Sequence, residues 1–194
     1  MSLERLAILI IGRNEGARFL ACLEALPDEV GQVIYVDSGS TDGSIEAARH
    51  FGAEVVDLGR DQPFTAARAR NAGIDRIEGA EVVQFLDGDC ALREGWIEAA
   101  LARLDADDGL AVVCGRRRER FPEASVFNRL CDVEWDTPVG PALACGGDAM
   151  MRVEALRGVA GYNGDLIAGE EPELCVRLRA AGWRIERLEA EMTW

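Results

Sequence analysis

The sequence contains no lysine and only one histidine, His50. A single histidine excludes a histidine-rich metal site and argues against a Ser-His-Asp catalytic triad. All 21 basic residues are arginines, which we attribute to a biased genomic composition rather than to function.

Closely spaced cysteine pairs and long apolar runs are also missing. The six cysteines form no Cys-x-x-Cys pair, which argues against a zinc site or a disulfide framework and favours free thiols in a reducing cytosol. There is no signal peptide and no apolar run of about 18 residues, so we expect no transmembrane segment. We predict a cytoplasmic protein and leave open contact with the inner face of the membrane.

Negative charge dominates the composition, with a formal net charge of −14 over 194 residues. Such acidity argues against nonspecific nucleic-acid binding and against a polybasic membrane patch. A nucleotide ligand stays compatible with it, because a nucleotide needs only a local site. The chain is 48% hydrophobic, enough for one sizeable core and therefore one domain.

Apolar runs typical of buried strands alternate with segments of helical periodicity through the first half of the chain. The predicted strands span residues 6–11, 33–36, 55–58, 82–86 and 110–114. The predicted helices span residues 16–26, 42–50, 65–77 and 94–104. This alternation predicts an α/β fold with an open, mostly parallel sheet. The pattern weakens after residue 115, where we expect a helix at 127–135, renewed order at 150–156, a helix at 173–181 and a last strand at 184–188.

The buried strand at 82–86 ends directly in Asp87, Gly88 and Asp89. Ligands tend to bind at the carboxyl ends of strands in such sheets, and two carboxylates there suit a hard cation such as Mg²⁺ or Mn²⁺. Asp-Gly-Asp is also an ordinary turn sequence, so both interpretations stay open.

Polar residues follow two other strands. The loop 37–44 is rich in small hydroxyls, glycines and acids, and Asp37 could accept a hydrogen bond from the imide of a base. The turn at 12–15 is not a Gly-x-Gly-x-x-Gly fingerprint, which argues against dinucleotide binding. On the third helix, Arg70 could contact a phosphate or stack on a base, or it could be a solvated surface residue.

The second half of the chain offers three further candidate sites. Pro172 suits a first helical turn, which would place Glu170 and Glu171 on the preceding loop and at the N-cap. Gly146 and Gly147 could admit a sugar ring or form a turn. The Arg116–Arg120 cluster could be a solvated face, or it could contact an acceptor or a diphosphate.

Taken in order, these motifs resemble family 2 glycosyltransferases over essentially the whole chain. In the first half the resemblance is carried by Asn14-Glu15, 36–44, 69–73 and 87–89. In the second half it is carried by 146–147, 161–162, 169–174, 177–178 and 181–183. The resemblance implies a GT-A fold in a single domain, residues 1–194, with a nucleotide-sugar-binding half (1–115) and an acceptor half (116–194).

The resemblance also implies roles for individual residues. Asp37 would contact the nucleotide base, with Glu15 and Arg70 beside the nucleoside. Asp87 would lie near the ribose and the metal, and Asp89 would coordinate Mg²⁺ or Mn²⁺ bound to the donor diphosphate. The full set of implied donor-binding residues is Asn14, Glu15, Asp37, Ser40, Arg70, Asn71, Asp87 and Gly88.

On the acceptor side, Gly146 and Gly147 would lie beside the acceptor. The family's acidic pair is usually Glu-Asp, with its second acid as general base, and Glu171 stands at that position here. Because Glu replaces Asp, either Glu171 or Glu170 could be the base. Family members commonly carry a further histidine or basic motif after the last strand, so we expect the natural protein to continue beyond Trp194.

The resulting hypothesis is metal-dependent, inverting transfer of a sugar from a UDP-, GDP- or dTDP-linked donor to a saccharide, lipid-linked or small-molecule acceptor. Two alternatives stay open at this point. One is a non-catalytic domain that binds nucleotide sugars, and the other is a nucleotidyltransferase.

Overall fold

The computed structural model describes residues 2–59 and 62–194, which form a sheet flanked by helices. After a short 3-10 helix (Leu3–Arg5), the strands are β1 (Leu6–Gly12), β2 (Gln32–Asp37), β3 (Glu54–Asp57), β4 (Val82–Asp87), β5 (Leu110–Arg117), β6 (Gly140–Pro141), β7 (Met150–Arg152) and β8 (Arg184–Thr193). The helices are α1 (Ala17–Glu24), α2 (Ser44–Phe51), α3 (Ala66–Ile74), α4 (Trp96–Asp105), α5 (Val126–Glu134), α6 (Val153–Gly158) and α7 (Glu170–Ala180). Within these ranges, no helix is long and apolar enough to cross a bilayer.

All eight strands belong to one sheet, in the order β3-β2-β1-β4-β7-β5-β8-β6. Strand β1 lies near its centre, and Leu6–Ile10 have no exposed surface, as expected for a strand covered on both faces. The pairs β1–β2, β1–β4, β2–β3 and β5–β8 are parallel, whereas β7 and β6 run antiparallel to their neighbours. The prediction of an α/β fold with a mostly parallel sheet is confirmed.

The register of β1 with its neighbours brings two acids to one edge of the sheet. Gly12 at the end of β1 pairs with Asp37, and Ile11 pairs with Asp87. The ends of β2 and β4 therefore lie on either side of the end of β1, as parallel pairing requires.

Strand β7 brings the glycine pair to the same edge, because it runs antiparallel between β4 and β5. Met150 pairs with Gln84, and the Phe85 N–H donates to the carbonyl of Ala149 at 3.0 Å. The residues that precede β7, 146–148, therefore lie beside the carboxyl end of β4.

Helix α7 begins three residues earlier than predicted. Gly169 is its N-cap with φ of 81°, a left-handed conformation that glycine adopts readily, and its carbonyl accepts from the Glu173 N–H at 3.1 Å. The expectation that Glu170 and Glu171 precede the helix is wrong, because they are its first two residues. Pro172 is the third residue of the helix. Its missing N–H costs no hydrogen bond there, because the N–H groups of the first turn have no partner within the helix.

The remaining differences from the sequence-based expectations lie mainly in the second half. The ordered segment predicted at 150–156 divides into β7 and α6, and the short strand β6 was not predicted. The last strand extends to Thr193 rather than ending at 188, because it pairs with β5 as far as Arg117. In the first half, α3 ends at Ile74 rather than 77, since turns of the i to i+3 type follow it.

Candidate active site

The side chain of Arg70 on α3 joins the two halves of the site. Its Nη1 donates to Oε1 of Glu171 (2.7 Å) and of Glu170 (3.0 Å), and its Nη2 donates to Oδ1 of Asp87 (3.1 Å). With only 3% of its surface exposed, Arg70 is not a solvated residue. Burial alone would lower the pKa of Arg70, but Tyr162 and the three carboxylates together raise it, so the guanidinium stays charged.

The two glutamates differ in what they face. The Glu170 side chain is 8% exposed and the Glu171 side chain 15%. A Cβ added to Gly147 would lie 3.3 Å from Oε1 of Glu171 and would collide with the guanidinium of Arg70. The chain therefore needs glycine at position 147, where Glu171 borders the glycine pair.

Asp87 is held from two sides by arginines. Arg70 contacts its Oδ1, and Nη2 of Arg117 lies 3.4 Å from its Oδ2. Burial and the neighbouring Asp148 raise the pKa of Asp87 to about 6, against the lowering effect of both arginines.

Asp148 is a functional candidate that the sequence analysis missed. It has no exposed surface, and it accepts hydrogen bonds from the Asp87 N–H (3.0 Å), from Nε of Arg117 (2.9 Å) and from Oγ1 of Thr193 (3.0 Å). It thus fixes the end of β4, β5 and β8 against one another. The only signal in the sequence is an acid directly between a glycine pair and an apolar strand.

The Arg116–Arg120 cluster is not uniformly solvated. The side chain of Arg117 turns into the site, where burial would lower its pKa but Asp148, Cys90 and Asp87 raise it. Arg116 and Arg118 both pair with Asp132 of α5, whereas Arg120 is exposed. Of the two interpretations that the sequence left open for this cluster, a solvated face does not fit Arg117.

Asp87, Cys90 and Asp148 offer ligand atoms within 4.8 Å of one another, the one group of this kind within residues 2–59 and 62–194. Nη2 of Arg117 contacts all three side chains, and it lies 3.6 Å from Sγ of Cys90. The cation at the centre of this cluster is thus a guanidinium. A thiol is moreover a poor ligand for Mg²⁺ or Mn²⁺.

Asp89 fits a hard cation better than that cluster does. Its side chain is 43% exposed, and Nη1 of Arg18 lies 3.7 Å from its Oδ2. A carboxylate that faces solvent beside a second acid can share a cation with substrate phosphates, as Mg²⁺ sites commonly do.

Asp37 shapes the loop that follows β2. Its buried carboxylate accepts from the Tyr35 hydroxyl (2.9 Å) and from the N–H groups of Gly39 (2.8 Å) and Ser40 (2.7 Å). The Ser40 hydroxyl in turn accepts from the Asn14 N–H at 3.0 Å. These bonds fix the loops after β1 and β2 to each other, and the contact of Asp37 with a base stays a prediction.

Glu15 and Gly88 lie next to each other at the end of β1. The Gly88 N–H donates to the Ile11 carbonyl at 2.8 Å, and a Cβ on Gly88 would lie 3.4 Å from Cγ of Glu15. Asn71 has a different environment, because its amide donates to the Tyr162 carbonyl and accepts from the Tyr162 N–H, both at 2.8 Å. It connects α3 to the loop before α7, and its contact with a donor stays a prediction.

Two pockets meet at Asp87 and Asp89. One, of about 420 Å³, lies over the ends of β1 and β4 and includes Glu15, Ser38 and Phe64. The other, of about 460 Å³, lies towards β5 and α5. Asp87 and Asp89 thus line both pockets.

Comparison with known proteins agrees with this architecture. The profile of Glycosyl transferase family 2 matches residues 7–157. Glycosyltransferase AglE of Haloferax volcanii is 26% identical over 192 residues, covering 92% of this chain and 62% of AglE. The succinoglycan biosynthesis protein ExoA of Rhizobium meliloti is also 26% identical, covering 92% of this chain and 59% of ExoA. The chain thus spans about three fifths of the length of these relatives.

Solved structures show the same fold. S. aureus TarS 1–349 in complex with UDP-GlcNAc superposes with a TM-score of 0.75 at 16% identity, covering 97% of this chain and 57% of that one. Mannosyltransferase PcManGT of Pyrobaculum calidifontis, in complex with GDP-Man and Mn²⁺, superposes with a TM-score of 0.73 at 20% identity. The match covers 95% of this chain and 55% of PcManGT. The family profile matches well over half of the chain, so the chain belongs to glycosyl transferase family 2 and has the GT-A fold of these structures.

Proposed function

We propose that the chain transfers a sugar from a nucleotide-diphosphate sugar to an acceptor hydroxyl, with inversion at the anomeric carbon and with the help of Mg²⁺ or Mn²⁺. One observation carries the proposal. A single buried guanidinium, Arg70, joins the acid at the end of β4 to both acids at the start of α7, directly beside Gly147. Acids for binding a donor and an acid for activating an acceptor are thereby held in one place.

The donor is assigned to the pocket over the ends of β1 and β4, within residues 1–115, and the acceptor to residues 116–194. The donor pocket lies where α/β sheets usually bind ligands, and the hydrogen-bonded loops after β1 and β2 form one rim of it. TarS and PcManGT bind UDP-GlcNAc and GDP-Man respectively. We accordingly include UDP- and GDP-linked sugars among the candidate donors, together with dTDP-linked ones.

The cation is assigned to Asp89, with Asp87 at its side. The exposed carboxylate of Asp89 supports this assignment, as does the Mn²⁺ in the PcManGT complex. When bound, such an ion offsets the negative charge that develops on a departing diphosphate. The chain itself holds Asp87 in place through Arg70, Arg117 and the backbone bond to Asp148.

We assign the role of general base to Glu171. Glu170 has the role of holding Arg70 in position. Glu171 is the more exposed of the two and borders the glycine pair. In the proposed step, the acceptor oxygen forms a bond to the anomeric carbon while the bond to the diphosphate breaks. The acceptor proton passes to Glu171, and the diphosphate leaves with the electron pair.

The test compares Glu171→Gln with its matched control Glu170→Gln. Release of nucleoside diphosphate would be followed with UDP-, GDP- and dTDP-sugars, in the presence of Mn²⁺ and a panel of acceptors. We expect Glu171→Gln to bind the donor normally and to turn it over about 10²–10⁴-fold more slowly, as is typical when a general base is lost. Glu170→Gln should lose less activity. Equal turnover by Glu171→Gln and the unmodified chain would contradict the assignment, and retention of anomeric configuration in the product would contradict the inverting mechanism.

A further inference from the structure

Helix α5 is attached to the protein by its polar side. Asp132 accepts from the Glu119 N–H (3.1 Å) and pairs with Arg118 (3.3 Å) and Arg116 (3.5 Å). Asn128 and Trp135, one helical turn away on either side, face the second pocket. An amphipathic helix in a globular protein normally buries its apolar side instead.

The apolar side of α5 consequently faces solvent. Val126, Leu130 and Val133 recur at helical spacing, and with Phe127 they are between 52% and 75% exposed. The whole helix lies in the described part of the chain, and none of its side chains is buried. A continuous apolar face of this kind marks an interaction surface.

This face adjoins the pocket that reaches Asp87 and Asp89. Phe121, Asn128 and Trp135, from α5 and its flanking residues, line one wall of the pocket. A molecule that lies along the outer face of α5 can therefore extend to Asp87 and Asp89. Because the face and the pocket adjoin, we take the occupant to be a substrate.

A cation stands where the apolar face meets the pocket. The guanidinium of Arg120 lies 5.6 Å from the ring centroid of Phe121 and 5.4 Å from that of Trp194. Arg120 is exposed, and it has no carboxylate within ion-pair distance among residues 2–59 and 62–194. In a chain of net charge −14, an arginine left without an acid is suited to an anionic group of the ligand.

From these contacts we propose that the acceptor is an anionic lipid. Its hydrocarbon tail lies on the outer face of α5, its phosphate lies beside Arg120, and its hydroxyl-bearing head group reaches into the pocket towards Asp87 and Asp89. This proposal rests on the proposed function, because it names the acceptor class of the same site.

The test measures binding to phosphatidylcholine vesicles with and without phosphatidylglycerol, a lipid that carries a phosphate and free hydroxyls. A protein of net charge −14 should be repelled by an anionic surface, so a preference for phosphatidylglycerol requires a local site. We expect vesicles that contain it to be bound about tenfold more tightly than phosphatidylcholine alone. Glycerol 3-phosphate, the same phosphate without a tail, should bind far more weakly.

Three variants assign the binding. Phe127→Asp combined with Leu130→Asp should weaken vesicle binding about tenfold, because charged side chains replace the apolar contact. Arg120→Gln should remove the preference for phosphatidylglycerol and leave the binding to phosphatidylcholine unchanged. Phe51→Asp, at an exposed apolar residue of α2, is the matched control and should have no effect.

Nucleotide binding, measured on the same variants, separates this proposal from the proposed function. The lipid proposal alone is overturned if nucleotide binding is intact and any one of three results is found. The unmodified chain does not bind vesicles, it binds them equally well with and without phosphatidylglycerol, or the α5 variant binds them as tightly as the unmodified chain. A dimer that the α5 substitutions dissociate, without vesicle binding, would also overturn it and make the face a protein interface. If the unmodified chain binds no nucleotide, the proposed function itself fails.

Discussion

Replacing Arg70 by methionine should destabilise the protein more than the loss of any surface ion pair. The substitution keeps most of the side-chain volume and removes the charge. It leaves the carboxylates of Asp87, Glu170 and Glu171 close together without the cation that now contacts all three.

The size of the effect follows from the burial of this network. Removing one partner of a buried, hydrogen-bonded ion pair costs about 3–5 kcal/mol, because an uncompensated charge stays behind. For a domain of about 200 residues, 1 kcal/mol corresponds to about 2–4 °C in Tm. We therefore expect Arg70→Met to lower Tm by about 6–20 °C at neutral pH.

The assay is thermal and urea unfolding of Arg70→Met beside Arg129→Met. Arg129 also pairs with an acid, Glu123, but both side chains are well exposed, and such pairs contribute little. Arg129→Met should therefore unfold almost like the unmodified chain. The deficit of Arg70→Met should also shrink in acid, because protonation of Asp87 removes part of the repulsion among the three carboxylates.

Two results would refute this reasoning. One is an equal effect of the two substitutions on the free energy of unfolding. The other is a deficit of Arg70→Met that is the same at neutral and at acidic pH, which would point to lost packing instead of lost charge.

Three further predictions follow from the same geometry. Gly147→Ala should lower both Tm and turnover, because the added Cβ would collide with the guanidinium of Arg70. Gly146→Ala should have almost no effect, because nothing lies within 4 Å of a Cβ at that position. Equal effects of the two substitutions would contradict this expectation. The pKa of Asp87 is raised to about 6 from an ordinary value of about 3.9, so between these values the folded state binds the extra proton. Metal-dependent nucleotide binding should therefore weaken as pH falls through 6. The contribution of Asp87 to the free energy of unfolding should decline as pH rises from about 3.9 to about 6. Nucleotide affinity and stability that do not change over this pH range would contradict both expectations. Arg117→Met should open its three-ligand cluster to a thiophilic metal, seen as a Co²⁺ thiolate charge-transfer band that disappears when Cys90→Ser is added.

Much of the fold could be predicted because buried parallel strands leave a strong pattern. The apolar runs at 6–11 and 82–86 could be assigned directly, and β1 and β4 follow them to within one residue. The start of α7 could not be assigned, because it depends on the left-handed conformation of Gly169, whereas proline usually favours the first helical position and Pro172 occupies the third.

The site was harder to predict than the fold, because its contacts join residues far apart in the sequence. Motif order brought attention to Arg70 and to Glu171, but only the structure shows that they pair over 101 positions. The sequence did not single out Asp148, and it did not distinguish Arg117 from the other arginines of its cluster. Both residues reach the site through the register of β5, β7 and β8, which the local sequence does not reveal.

The most direct test of the central claim is a calorimetric titration with UDP, GDP and dTDP, each with and without Mn²⁺, on the unmodified chain and on Asp89→Ala. We predict that one nucleotide binds in a Mn²⁺-dependent manner and that Asp89→Ala loses the metal-dependent part while it remains folded. Failure of every nucleotide to bind, or unchanged Mn²⁺-dependent binding in Asp89→Ala, would contradict the proposed donor site.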